Sequence, residues 1–240
     1  TYKGLALNAT YRGLETGDGD FNPQASSESQ HSPWPKNLTD VESIAKHPIK
    51  TPSIKCWFYF CQNLRSIDMS SIDLSECTTM EAAFWVCSSL SNIDVSSWDV
   101  SNVESLARTF ELCRNIEKLD VSNWHLPKLG ASGGSHGGPL SGTFYGCEKL
   151  EVIDTSNWNV ITTNNFFAGA NNSSRQFIVN CTNLRVIDLS GITITEDPAT
   201  SSNRNLWSFT GCPNIEKLIV PSRFCTSNTN ILSALNSNRN

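Results

Sequence analysis

The chain has 240 residues, with 18 Lys plus Arg against 23 Asp plus Glu and a formal net charge of −5. A pI near 5.4 without a Lys/Arg cluster makes nucleic acid or an anionic membrane a poor main partner. No run of about 18 apolar residues is present, so no membrane span is expected, and no signal-peptide pattern opens the chain.

A start on Thr1 suggests a processed chain, which fits secretion without requiring it. Residues 1 to 55 carry no clear repeat and are read as an N-terminal capping segment, because a stacked repeat needs its first apolar layer covered. The run Asp18, Asp20, Asn22 resembles the start of a calcium loop. Pro23 stands where such a loop needs Gly and Ser29 where it needs Glu, so no metal is expected there. A short helix is predicted from Leu38 to His47, with Thr39 or Asp40 as N-cap and Pro48 as stop.

From Cys61 a unit recurs at Cys87 and Cys113, a period of 26, and continues at Cys147, Cys181 and Cys212 with spacings of 34, 34 and 31. Six units in register predict a solenoid over 56–221. Each unit divides into three parts. Met80 to Cys87, Leu106 to Cys113 and Leu206 to Cys212 have helical apolar spacing and are predicted on the convex side. Leu90, Ile93 and Val95 then point inward from a short parallel strand, which turns Asn92, Asp94 and Ser96 outward. Trp98, Trp124 and Trp158 recur after the strand, with Ile72 and Ile192 in the same place elsewhere, and read as a stacked core layer.

Three insertions, 130–139, 168–176 and 195–205, all fall before the next Phe-x-x-Cys and should emerge on one side, as a binding surface or as tolerated decoration. After Pro221 the repeat ends. Residues 222–240 are read as a C-terminal cap, with a short closing helix from Asn228 to Leu235.

Six of the nine cysteines occupy one repeat position and are read as small buried core residues. Stacking at about 4.8 Å leaves vertical disulfides within reach, and a Cys56–Cys77 bridge is a further candidate. Five sequons begin at Asn8, Asn37, Asn171, Asn172 and Asn180, but 24 asparagines among so many Ser and Thr give about five by chance.

The candidate binding residues are Asp68, Asp94, Asp120, Asp154 and Asp188, at one outward strand position, each followed two residues later by Ser70, Ser96, Ser122, Ser156 and Ser190. Neighbouring carboxylates at about 4.8 Å repel by roughly 1 kcal/mol in water and more at lower dielectric. Relief comes either from Ser hydroxyls and backbone N–H groups in the following turn or from a cation or basic partner. No zinc, phosphate-loop, dinucleotide or nucleophile-elbow motif occurs, and Ser135-His136 lies in a Gly-rich loop that fixes no nucleophile against a base. The chain is therefore read as a non-enzyme without cofactors.

The unit F-x-x-C-x-x-L-x-x-I-D-V-S-x-W-D-V-S-N-V, from Phe58 to Pro221, is similar to the repeat of bacterial surface proteins called BspA-like leucine-rich repeats, the DUF285 type. The resemblance implies an α/β fold, a leucine-rich-repeat solenoid with a parallel β-sheet on one face and short helices or irregular turns on the other. It also implies a secreted or cell-surface protein for adhesion, whose partner is a protein or glycan on another cell or matrix. A filament or surface-layer subunit that self-assembles is the alternative. The sixth unit departs from the pattern, with Lys217-Leu218-Ile219-Val220-Pro221 in place of I-D-V-S.

Overall fold

The computed structural model describes residues 38–41, 48–131, 138–162, 176–194 and 209–220. Over these residues the chain forms short strands: β1 Asp40–Val41, β2 Ile49–Lys50, β3 Ser66–Ile67, β4 Ile72–Asp73, β5 Asn92–Ile93, β6 Val152–Asp154, β7 Val160–Thr162, β8 Val186–Asp188, β9 Ile192–Ile194 and β10 Lys217–Ile219. All of their pairings are parallel. They build four small sheets, ordered β1-β3-β5, β6-β8-β10, β2-β4 and β7-β9.

Register follows the repeat. Ile67 pairs with Ile93, 26 residues on, and Ile153 pairs with Ile187, 34 residues on. Each unit thus stacks on the next, with insertions expelled from the pairing. Leu119, which occupies the corresponding position of the intervening unit, points inward but lies outside any strand.

The α/β expectation is corrected here: among the described residues there is no helix on the opposite face or elsewhere. Residues 81–86 and 107–112 are instead successive turns. A helix would send every N–H to the carbonyl four residues back. Here alternate N–H groups close tight turns, as in Ala83 to Met80, Trp85 to Ala82 and Cys87 to Phe84. The N–H groups between them cross to the next unit, from Ala82 to Ala107, Phe84 to Thr109 and Val86 to Glu111. The coil is as compact as a helix, so its apolar spacing looks helical, yet half its donors leave the segment.

Such a coil needs left-handed residues at fixed positions. Cys56, Ala82, Arg108 and Gly142 form one column with φ between 55° and 68°, and Phe60, Val86, Leu112, Gly146, Asn180 and Gly211 form another between 56° and 72°. Non-glycine residues rarely adopt this region. Each non-glycine member, Cys56, Phe60, Ala82, Val86, Arg108, Leu112 and Asn180, donates its own N–H to a carbonyl of the next unit, and that bond holds it there.

A second correction concerns the predicted helix Leu38–His47. Asp40–Val41 is strand β1, paired with Ser66–Ile67, and 42–47 lie outside the described residues. Leu38 and Val41 are buried at the places that Leu64 and Ile67 take one unit later, so pairing reaches back beyond the first cysteine. The closing helix 228–235, the loop at 18–29 and most of the three insertions also lie outside the described residues.

The core runs as columns. Phe58, Phe84, Phe110 and Phe144 stack with centroids 5.3, 5.5 and 6.2 Å apart and rings within 5° of parallel. Trp98, Trp124 and Trp158 stack at 6.1 and 6.0 Å. Each such pair adds about 0.5–1.5 kcal/mol beyond the area it buries. Beside them the column cysteines are buried and reduced, as are Cys56 and Cys77, between which no bridge forms.

Candidate functional site

Each aspartate of the outward column sits at or just past the end of its strand position, held there by the inward residue before it, such as Ile67, Ile93 or Ile187. The chain then turns, and Oδ1 of the aspartate accepts the N–H of the serine two residues on. The distances are 2.8 Å for Asp68–Ser70, 3.0 Å for Asp94–Ser96, 3.1 Å for Asp120–Ser122, 2.9 Å for Asp154–Ser156 and 2.9 Å for Asp188–Ser190. The hydroxyls of Ser96, Ser122 and Ser190 donate to the same oxygens at 2.6–2.7 Å. Carboxylate repulsion along the column is therefore offset locally by turn N–H and hydroxyl groups. For Asp94 the Ser96 hydroxyl and then the Ser96 N–H hold the carboxyl below its ordinary value of 3.8. Asp68, Asp94 and Asp120 are exposed, Asp154 and Asp188 half-buried. The sixth unit has Ile219 at this position, so the column ends at Asp188.

The structure adds two residues that the sequence reading missed. Asp73 accepts the N–H of Ser75 at 2.9 Å, and Asp99 accepts that of Ser101 at 3.1 Å. The signal was present: D-x-S occurs twice in each of the first two units, at 68–70 and 73–75, then at 94–96 and 99–101.

These four aspartates line the rim of one cleft of about 380 Å³ between the first and second units. Ile67, Met69, Ile72, Leu74 and Trp98 form its apolar wall, and Ser70, Asn92 and Ser97 complete its rim. Lys50 approaches from one side, 3.8 Å from Asp73 and 3.4 Å from Glu76. The residues of the apolar wall are themselves buried and show the cleft little surface, so its chemistry is set by the carboxylates, which suit an ammonium or guanidinium. Among the described residues no three His, Cys, Asp or Glu side chains converge as metal ligands.

Of the sequon asparagines, Asn180 is exposed, and its side-chain amide donates to the Tyr145 hydroxyl at 3.4 Å. Asn8, Asn37, Asn171 and Asn172, like Ser135 and His136, lie outside the described residues. No helix among the described residues is long and apolar enough to cross a membrane.

Residues 52–178 match the model of a family described as "Mycoplasma protein of unknown function, DUF285". This agrees with the resemblance carried by the 26-residue unit. No curated protein matches the chain.

Proposed function

The chain belongs to the DUF285 family, whose model covers more than half of it, and we propose that it is a non-catalytic interaction module of the cell surface or extracellular space. Its contact surface is the outward aspartate face, and the partner is a protein or glycan presenting positive charge. The observation that carries this reading is the cleft bounded by Asp68, Asp73, Asp94 and Asp99, whose carboxylates are oriented by turn hydrogen bonds before any partner arrives. Preorganised acceptors bind without the ordering cost that flexible side chains carry.

Fluorescence anisotropy with a labelled oligolysine peptide and a neutral peptide of equal length tests the reading. The double variant Asp94→Asn/Asp99→Asn should weaken oligolysine binding several-fold. A control of equal charge, Glu104→Gln/Glu148→Gln, should leave it nearly unchanged. Equal losses in the two variants would mean that only net charge is sensed, and the reading would fail.

A further inference from the structure

The cysteine column changes character at its far end. Cys87, Cys113, Cys147 and Cys181 each donate their thiol to the carbonyl of a phenylalanine in the preceding unit, at 3.0–3.2 Å. Burial raises the Cys113 thiol and pushes that of Cys147 up to about 12, so these sulfurs are inert at neutral pH. At the last step the sulfur of Cys212 accepts the backbone N–H of Cys181 at 3.4 Å. That nitrogen is bonded to the Cα of Cys181, so the two side chains emerge side by side in adjacent layers. Units about 4.8 Å apart fall within the Cα separation that a disulfide spans. The adjoining Cys181 side chain, then the backbone amides of Cys181 and Asn180, draw the Cys212 thiol below its ordinary range against the opposing effect of burial. The same contact and burial hold the Cys181 thiol well above its own, so Cys212 is the sulfur that ionises and Cys181 the one that keeps its proton. Cys212 is fully buried, but Thr210 and Pro213 beside it are exposed and Gly211 and Ile215 half-exposed, so a local opening of this turn is enough to admit a small oxidant.

We propose that Cys181 and Cys212 are an oxidation-sensitive pair that closes to a disulfide between adjacent units when the protein meets a peroxide. The Cys212 thiolate attacks one peroxide oxygen, the O–O bond breaks, and the departing hydroxide takes a proton to leave as water. The resulting sulfenic acid is attacked by the Cys181 sulfur, which forms the S–S bond and expels hydroxide, and this leaves as water with the Cys181 proton. Two thiols are oxidised by two electrons and one hydrogen peroxide is reduced to two waters. The bond would tie the last unit, where the aspartate column has ended, to the body of the stack.

Hydrogen peroxide titration of the full chain, followed by non-reducing proteolysis and peptide mass mapping, tests this. At stoichiometric peroxide the expected product is a Cys181–Cys212 linked peptide, lighter by two hydrogens and restored by dithiothreitol, with Cys113 and Cys147 still reduced. In Cys212→Ser that peptide should vanish; if this variant does not fold, the wild-type map decides alone. The proposal is overturned if Cys181 and Cys212 stay reduced while a small-molecule thiol in the same tube is oxidised. It is equally overturned if Cys212 links to Cys225 or to another chain, or goes on to sulfinic acid without cross-linking.

Discussion

The thiol of Cys113 donates to the carbonyl of Phe84, 3.1 Å away in the preceding unit, and that carbonyl already accepts the N–H of Cys87 at 3.0 Å. One lone pair closes a turn within the unit and the other is met by a side chain of the next unit. The relation is general. The Val121 carbonyl accepts both the Trp124 N–H and the Trp158 indole, and the Met80 carbonyl accepts both the Ala83 N–H and the Thr109 hydroxyl. The repeat thus needs a donor at these positions as well as bulk.

Replacing Cys113 by Ala removes this donor and leaves a small void, and should destabilise the protein by about 2 kcal/mol in urea unfolding. The native thiol should also resist iodoacetamide at pH 8 and become labelled only as urea unfolds the chain, because burial holds it well above its ordinary range. Labelling in the absence of urea would contradict the sealed column.

Trp158 offers a stronger test. Its indole N–H meets the Val121 carbonyl at 2.9 Å, its ring is fully buried, and it stacks on Trp124. Trp158→Phe loses the donor and part of the volume, and should cost about 2–4 kcal/mol. Trp98, at the more open end of the column and 9 % exposed, should cost less when changed to Phe. The midpoint of urea unfolding followed by fluorescence ranks the two variants, and an equal cost would show that depth in the column does not matter.

The strand face was legible because its two-residue alternation leaves a single choice of inward side: Ile67, Ile93, Leu119, Ile153 and Ile187 are all buried. The turn segments were not. Met80 to Cys87 has helical spacing, but its donors are divided between its own turns and the next unit, and a period in one segment does not report where an N–H goes. One signal lay in the column of Phe60, Val86, Leu112, Gly146, Asn180 and Gly211. Its later members are Gly and Asn, residues suited to positive φ, and they sit where a continuous helix would not place them. Strand β1 was missed because its unit keeps Leu38 and Val41 but has no cysteine to mark it.

Gly191 is required by close approach rather than by its φ. A Cβ there would lie 1.9 Å from the Thr155 carbonyl oxygen and 2.8 Å from that of Ser156, both backbone atoms of the preceding unit. Its own carbonyl accepts the N–H of Val160 across the same junction. Gly191→Ala must therefore push the two units apart and should cost more than about 3 kcal/mol. Circular dichroism melting would give a transition several degrees lower, and an unchanged transition would show that the two units absorb the added methyl without moving apart.

Asp94 links stability to the proposed contact face. Its carboxylate accepts the Ser96 hydroxyl at 2.7 Å and the Ser96 N–H at 3.0 Å, and both bonds favour the ionised form. With its folded value below 3.8, the group contributes stability above that pH and loses the contribution as acid protonates it at its lower folded value. Titration followed by carboxyl carbon NMR should give a midpoint below that of an unfolded aspartate. Ser96→Ala keeps the N–H but removes the hydroxyl, so the midpoint should move part of the way back toward 3.8. Its carboxylate is then also less firmly oriented, and oligolysine binding at neutral pH should weaken although the net charge is unchanged. A midpoint restored without any change in binding would separate the turn from recognition and leave it a purely structural device.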